Sequence, residues 1–199
     1  DLRVNNPLLQ TSNARRLVHG ESDGLPGLVV DDYAGWVVLQ LHTAGMEALR
    51  ASIIAAVLDI VSPKGLFERS DVGTRRAEGL HDRPTGPLAG DEPPDLIDFH
   101  EGDVQLLVDV RRGQKTGFFL DQRENRLGVQ AFSRDREVLN CFSYSGGFSV
   151  YAARGKASSV TSVDVSEKAV ALARQNLELN RFDPDANPCI AANVFDYLK

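Results

Sequence analysis

Cysteine is nearly absent: Cys141 and Cys189 are the only two in 199 residues. Disulfide frameworks and zinc clusters need several cysteines at short spacing, so both thiols are expected reduced and mostly buried. His19, His42, His81 and His100 share no metal-ligand spacing, and no metal site is expected. Long apolar runs are missing too; none approaches the roughly 20 residues of a membrane-spanning helix. Asp1 to Arg16 is too polar for a secretory signal, so no membrane contact and a cytoplasmic location are expected. The one methionine is Met46, and a chain that begins at Asp1 reads as having a cut N-terminal end.

Basic excess is also lacking. A formal charge of -6 argues against a surface that grips nucleic acid all over, because phosphate binding rests on clustered Lys and Arg. One local cluster remains, with Arg111, Arg112, Lys115, Arg123 and Arg126 set against Asp121 and Glu124. Arg111, Arg112, Lys115 and Arg126 are candidate RNA contacts; a solvated face joining two domains is the competing reading.

With 42% hydrophobic and 25% charged residues, the chain fits one or two globular domains. Gly27 to His42 predicts a β-hairpin around a five-residue loop, Asp31 to Gly35, where turn chemistry accounts for the two aspartates. Gly45 to Val61 carries Met46, Leu49, Ile53, Val57 and Ile60 or Val61 at helical spacing, and Pro63 ends that helix. Lys64 to Arg69 predicts a short strand, and the prolines and glycines of His81 to Pro94 a surface loop. Leu96 to His100 and Val104 to Val110 predict a second hairpin, completing a small α+β strand-strand-helix-strand-strand domain over residues 1–112.

From residue 113 to 199 the pattern alternates. Strands at Arg136 to Phe142, Ser159 to Asp164 and Asn187 to Ala192 enclose helices at Phe148 to Arg154 and Ser166 to Arg181. This βαβαβ order makes the whole chain α/β and implies a parallel sheet. Ser166 is the expected N-cap of the second helix, with Val170, Ala173, Leu177 and Asn180 facing the sheet. Asp71 to Arg76 predicts a capped turn with exposed charges, and Arg75 and Arg76 as possible phosphate contacts.

Chemistry concentrates at the strand ends. Gly146 and Gly147 stand at the first strand-to-helix turn, where glycine lets backbone approach a ligand and free helix N–H groups favour anionic or polar groups. Asp164 ends the next strand, where a carboxylate can accept from both hydroxyls of a ribose. Turn and acid together point to a nucleoside cofactor. The turn lacks the G-x-G-x-x-G of a pyrophosphate nest, which disfavours a nicotinamide oxidoreductase. Asn193 and Phe195 follow the third strand, where an amide could meet an adenine and a ring could cover it; capping of the next helix by Asn193 is the alternative.

Several motifs in order carry a resemblance: KTGFFLDQRENR (Lys115 to Arg126), VLNCFSYSGGFSVYA (Val138 to Ala152) and SVDVSEKAVALARQNLELN (Ser162 to Asn180), preceded by GESDGLPGLVVDDY (Gly20 to Tyr33) and RSDVGTRRAEGL (Arg69 to Leu80). Together they resemble the large-subunit ribosomal RNA cytosine-C5 methyltransferases. That resemblance implies a PUA domain, a small central domain and a Rossmann-like class I methyltransferase domain, of which this chain would carry the second and a truncated third. It implies S-adenosylmethionine as cofactor and ribosomal RNA as partner. Phe119, Gln122 and Arg123 would lie on a segment folded over the cofactor; Ser143, Tyr144, Ser145, Gly146 and Gly147 would line its methionine moiety; Asp164 and Val165 would hold the ribose, and Asn193 and Phe195 the adenine. The family more often has aspartate where Asn193 stands.

Cytosine C5 is a weak nucleophile, so such chemistry calls for a cysteine thiolate that adds to C6. The resemblance places that cysteine and an Asp-Pro-Pro motif beyond Lys199, so no catalytic residue is expected within these residues, and Cys141 and Cys189 are expected to pack. A sheet ending at its third strand would expose the first as an apolar edge, a route to homo-oligomers. Two alternatives stay open: methylation of another RNA position, and an inactive RNA-binding or scaffold protein that retains the Rossmann-like module.

Overall fold

The computed structural model describes residues 6–81 and 83–199; residues 1–5 and 82, in the polar N-terminal stretch and the proline-rich segment of the sequence reading, lie outside the described residues. Two compact units emerge: residues up to Phe99 with Val108–Phe118, and His100–Leu107 with Phe119–Lys199. The single boundary after Arg112 expected from sequence is replaced by an interleaved one.

In the first unit, α1 (Pro7–Gln10), β1 (Ala14–His19), β2 (Leu28–Tyr33), β3 (Trp36–Leu41), α2 (Ala44–Ala48), α3 (Arg50–Val61), β4 (Gly65–Glu68), α4 (Thr74–Ala77) and β5 (Gly86–Gly90) follow one another. The five strands form one sheet in the order β1-β2-β3-β4-β5. β3 and β4 run parallel, as a connection through helices requires, and the other pairs are antiparallel. One face is apolar: Leu28, Val30, Val37, Leu39, Leu41 and Leu66 pack with Met46 against Ile53, Ile54, Val57, Leu58 and Val61.

Four local expectations are corrected here. The first hairpin turns on two residues, since Tyr33 pairs with Trp36, leaving Ala34 (φ 54°) and Gly35 (φ 90°) in the left-handed geometry that matches strand twist. Asp31 therefore lies in β2, fully buried, rather than in a loop. The helix at Gly45 to Val61 is two helices meeting at Leu49, and Leu49 and Ile60 are exposed. The proline-rich stretch contains the edge strand β5, where Pro87 sits opposite Phe67 beside a register shift; an edge tolerates the missing N–H. The second hairpin, β6 (Ile97–Glu101) and β7 (Val104–Val108), forms its own two-stranded sheet and does not extend the five-stranded one.

The sheet face opposite α3 is mixed, with Asp31 and Gln40 beside Val29, Tyr33, Val38 and Phe67. Part of it is covered by the 108–118 segment: Thr116 Oγ1 donates to Asp31 Oδ2 (2.5 Å), Gln40 Nε2 donates to the carbonyls of Arg69 (3.1 Å) and Lys115 (3.2 Å), and Arg69 holds the carbonyls of Val110 and Gly113 (2.9 Å each).

The second unit contains α5 (Arg123–Phe132), β8 (Glu137–Cys141), α6 (Gly147–Arg154), β9 (Ser159–Asp164), α7 (Glu167–Leu179), β10 (Cys189–Ala191) and α8 (Val194–Tyr197). Its strands are parallel in the order β10-β9-β8, the expected βαβαβ. Ser166 caps α7, its Oγ accepting from Ala169 N–H (3.3 Å). The buried face of that helix is Ala169, Leu172, Ala173, Asn176 and Leu177, so Ala173 and Leu177 were placed by spacing while Val170 and Asn180 were not. β8 is an edge strand of this sheet among the described residues, and its Leu139 is 44% exposed.

Candidate functional site

The carboxyl ends of β8, β9 and β10 meet where an open parallel sheet offers a crevice to ligands. The turn after β8 carries three positive φ values, at Phe142 (59°), Tyr144 (47°) and Gly146 (74°). Two of these residues bear side chains, a strain of about 1–3 kcal/mol each that surrounding contacts must hold. Those contacts are present. Ser143 N–H donates to the Val163 carbonyl (3.0 Å), Gly146 N–H to the Ser143 carbonyl (2.9 Å), and Tyr144 N–H to Asp164 Oδ2 (2.8 Å). The other oxygen of Asp164 accepts from Ser166 N–H (2.9 Å). Each carboxylate oxygen keeps a second acceptor site for a hydroxyl.

Gly146 is a glycine for a reason other than ligand approach. A Cβ there would lie 2.7 Å from Ala173 Cβ, so the residue lets the turn press against α7. From the same helix, Asn176 Nδ2 donates to the Ser145 carbonyl (2.8 Å) while its Oδ1 accepts from Leu107 N–H (2.7 Å). Beneath the turn, Asn140, Ser149 and Ser162 form a short polar chain at 2.8 and 2.7 Å.

Aromatic rings border the turn. Phe119 meets Tyr144 edge-on with centroids 5.6 Å apart, and Phe142 meets Phe195 at 5.8 Å. Phe142, Val165 and Phe195 are 62%, 74% and 68% exposed, apolar surface of the kind a planar ligand covers. Ser143 Oγ is buried without a hydrogen-bond partner among the described residues, a polar atom for which a ligand would supply one. These features fit an adenosyl group: acceptors for a ribose, open rings for a base and an unsatisfied hydroxyl in the turn. Sequence reasoning missed Phe142, whose signal was an aromatic at the end of a predicted strand.

Two expected site residues take other parts. Arg123 and Arg126 are buried around Glu101: Arg123 Nε lies 3.1 Å from Glu101 Oε1, Arg126 Nη2 lies 2.6 and 2.8 Å from its two oxygens, and Tyr151 OH donates to Oε2 (3.0 Å). Burial and the adjoining Glu101 carboxylate push the Tyr151 hydroxyl pKa well up, so it stays protonated as a donor. Arg126 is 1% exposed, which corrects its reading as an RNA contact. It instead donates to the Phe119 carbonyl (2.8 Å), fixing the ring that meets Tyr144. Arg123 Nε is directed at Glu101. Gln122 ends a 3₁₀ turn, bonded to Asp121 (3.0 Å) and Asn125 (2.8 Å). Asn193 is the N-cap of α8, its Oδ1 accepting from Phe195 N–H (2.9 Å), so capping occupies its acceptor and leaves its amide N–H₂ as the group for a base.

Of the remaining basic candidates, Arg112 and Lys115 are exposed, and Arg111 is half-buried with an ion pair to Glu92 (3.2 Å). Arg75, expected on an exposed turn, is buried and donates to the Leu41 carbonyl (2.7 Å) and Glu47 (2.9 Å). Cys141 and Cys189 are free and half-buried, and burial raises the Cys189 thiol pKa, away from a nucleophilic thiolate. No cluster of potential metal ligands occurs among the described residues, and none of their helices is long and apolar enough to cross a membrane.

Comparison with known proteins agrees with this geometry. Ribosomal RNA large subunit methyltransferase I of Escherichia coli (strain SMS-3-5 / SECEC) is 44% identical over 187 residues, 94% of this chain and 47% of that protein. The chain thus spans about half the length of the curated relatives it matches. A solved structure described as a SAM-dependent methyltransferase from Streptococcus mutans superposes with a TM-score of 0.83 at 29% identity, covering 98% of this chain and 49% of that one. A methyltransferase solved in complex with SAH gives 0.82 at 30% identity, covering 94% and 47%. Residues 69–197 match the family model described as S-adenosylmethionine-dependent methyltransferase. On that match, which takes in the turn, Asp164 and Asn193, the chain belongs to the S-adenosylmethionine-dependent methyltransferase family.

Proposed function

We propose that these residues form the cofactor-binding face of an RNA methyltransferase that places a methyl group on C5 of a cytosine in large-subunit ribosomal RNA. The observation that carries the reading is the Tyr144–Asp164–Ser166 bridge, which ties the glycine turn to the acid at the next strand end. S-adenosylmethionine supplies an electrophilic methyl group on a sulfonium. Asp164 would accept from the ribose hydroxyls, Phe142, Val165 and Phe195 would cover the base, and Ser143 with the turn to Gly147 would meet the methionine end. Gln122 and Phe119 would close over it. RNA as substrate, and cytosine C5 as its position, are supported by the 44% identical relative named for large-subunit ribosomal RNA and by the motif string.

Titration calorimetry with S-adenosylhomocysteine tests the first part. Asp164→Ala is expected to weaken binding roughly 10- to 100-fold, the loss of about two hydrogen bonds to a charged acceptor; unchanged affinity refutes the assignment. For the second part, the natural gene product is incubated with labelled S-adenosylmethionine and protein-free large-subunit RNA. 5-Methylcytidine on nucleoside mass spectrometry is the expected product, and a methyl group on another base or position overturns the assignment to C5.

A further inference from the structure

The first unit holds a cleft of about 600 Å³ that includes none of the residues placed at the cofactor site. It opens on the face of the five-stranded sheet opposite α3, and pairing sets its floor. His19 on β1 lies opposite Val29 on β2, and Val29 opposite Gln40 on β3, so the three side chains stand in a row. Arg16 joins them only through an irregularity. Residues three apart on a regular strand point to opposite faces, but the register shifts between Arg16 and Val18, bringing Arg16 opposite Asp31 and onto the face of His19. Arg16 Nη1 then lies 3.0 Å from His19 Nδ1.

Hydrogen bonding fixes what each ring presents. A guanidinium only donates, so His19 Nδ1 is an acceptor and its proton sits on Nε2, which is left as a donor. Gln40 spends both amide hydrogens on the Arg69 and Lys115 carbonyls, so its Oε1 accepts from His42 Nε2 (3.3 Å) and leaves His42 Nδ1 as an acceptor. Burial lowers the His42 pKa, opposed by Glu21 and reinforced by Arg16 and Arg75, and the net lowering keeps that ring neutral.

The cleft therefore offers one imidazole donor, one imidazole acceptor and an aliphatic patch at Val29. Arg16 is already paired with Asp31, and Glu21 and Glu78 outweigh Lys115, so the lining suits a neutral, planar, polar ligand rather than a bare anion. A nucleobase has adjacent donors and acceptors on one edge and an apolar face, and the volume falls within that of ordinary small-molecule sites. We propose that this cleft binds one unstacked nucleoside of an RNA strand, with Lys115 near its phosphate; the choice of RNA rests on the function proposed above.

The four histidines make the test direct. Imidazole C–H signals of the protein are followed by NMR during titration with each of the four nucleoside 5′-monophosphates and with single-stranded RNA hexamers. His19 and His42 signals are expected to move, with His81 and His100 still. His19→Ala and His42→Ala should each weaken binding about tenfold and leave S-adenosylhomocysteine affinity unchanged; His19 is exposed at a strand end, so its removal is expected to be tolerated. Motionless His19 and His42 signals overturn the proposal, as does an equal response to inorganic phosphate. Cofactor binding and RNA methylation without nucleotide binding here would sink the cleft alone; nucleotide binding here without RNA methylation would sink the proposed activity alone.

Discussion

Glu101 is the residue whose replacement should cost most. Its side chain is 1% exposed, as is that of Arg126, and Arg123 is 7% exposed, so the near-zero worth of surface ion pairs does not apply. In Glu101→Gln the new amide sets its own N–H₂ against guanidinium donors and strands buried positive charge. Removing one partner of a buried pair costs about 3–5 kcal/mol. With a urea dependence of about 2 kcal/mol/M, the midpoint should fall by roughly 1.5–2.5 M. Tyr151→Phe removes only one hydrogen bond to the same carboxylate and should cost about 1.5 kcal/mol. Replacing Glu101, Arg123 and Arg126 together by Leu, Met and Met should recover most of the loss, because no stranded charge remains. Urea melts followed by far-UV circular dichroism, to which α5, α6 and α7 contribute, read all three variants. A Glu101→Gln midpoint within about 0.3 M of the parent, less than 1 kcal/mol, would refute the reasoning.

Gly146→Ala should destabilise by roughly 2–4 kcal/mol, combining a left-handed φ with the 2.7 Å clash on Ala173. Adding Ala173→Gly should relieve the clash but not the φ; a double variant no better than the single one would dismiss the steric part. Asp31→Asn leaves Arg16 without its carboxylate partner at 2.8 Å and should cost about 2–3 kcal/mol, less than at Glu101 because Arg16 keeps 17% exposure. Trp36, the only tryptophan and a neighbour of β2, reports that melt by fluorescence. The His42 pKa is lowered below its usual 6.5, so the unfolded chain takes up the proton first. The neutral ring's contribution is complete above about pH 6.5 and is lost as pH falls through the window below it; His42→Asn should flatten the urea midpoint between roughly pH 7 and 5, and an unaltered slope would count against the assignment.

Strands with a regular period and helices between them were legible: β8, β9, β10 and α7 fall where alternation and the Ser166 cap put them. What escaped depended on contacts distant in sequence. β1 reads as a polar stretch because its Arg16 is matched by a buried Asp31 fifteen residues away. Asp31 and Asp32 look like loop residues because turn chemistry and a buried ion pair use the same side chain. Arg126 looks like a phosphate ligand until Glu101 is placed beside it, and α5 was lost inside a run read for its charge. At the site, the turn and Asp164 were legible as types at strand ends. The purpose of Gly146 was not, because its constraint comes from Ala173 on the next helix.

The interleaved boundary between the units bears on how the chain is made. During synthesis the 100–107 hairpin leaves the ribosome well before the groups that complete it: Arg126 and Tyr151 follow Glu101 by 25 and 50 residues, and Asn176 follows Leu107 by 69. Until they arrive, Glu101 must remain hydrated. The second unit is thereby bound to mature late and as a whole, so a gene fragment started at Gly113 would inherit two arginines without the acid they enclose.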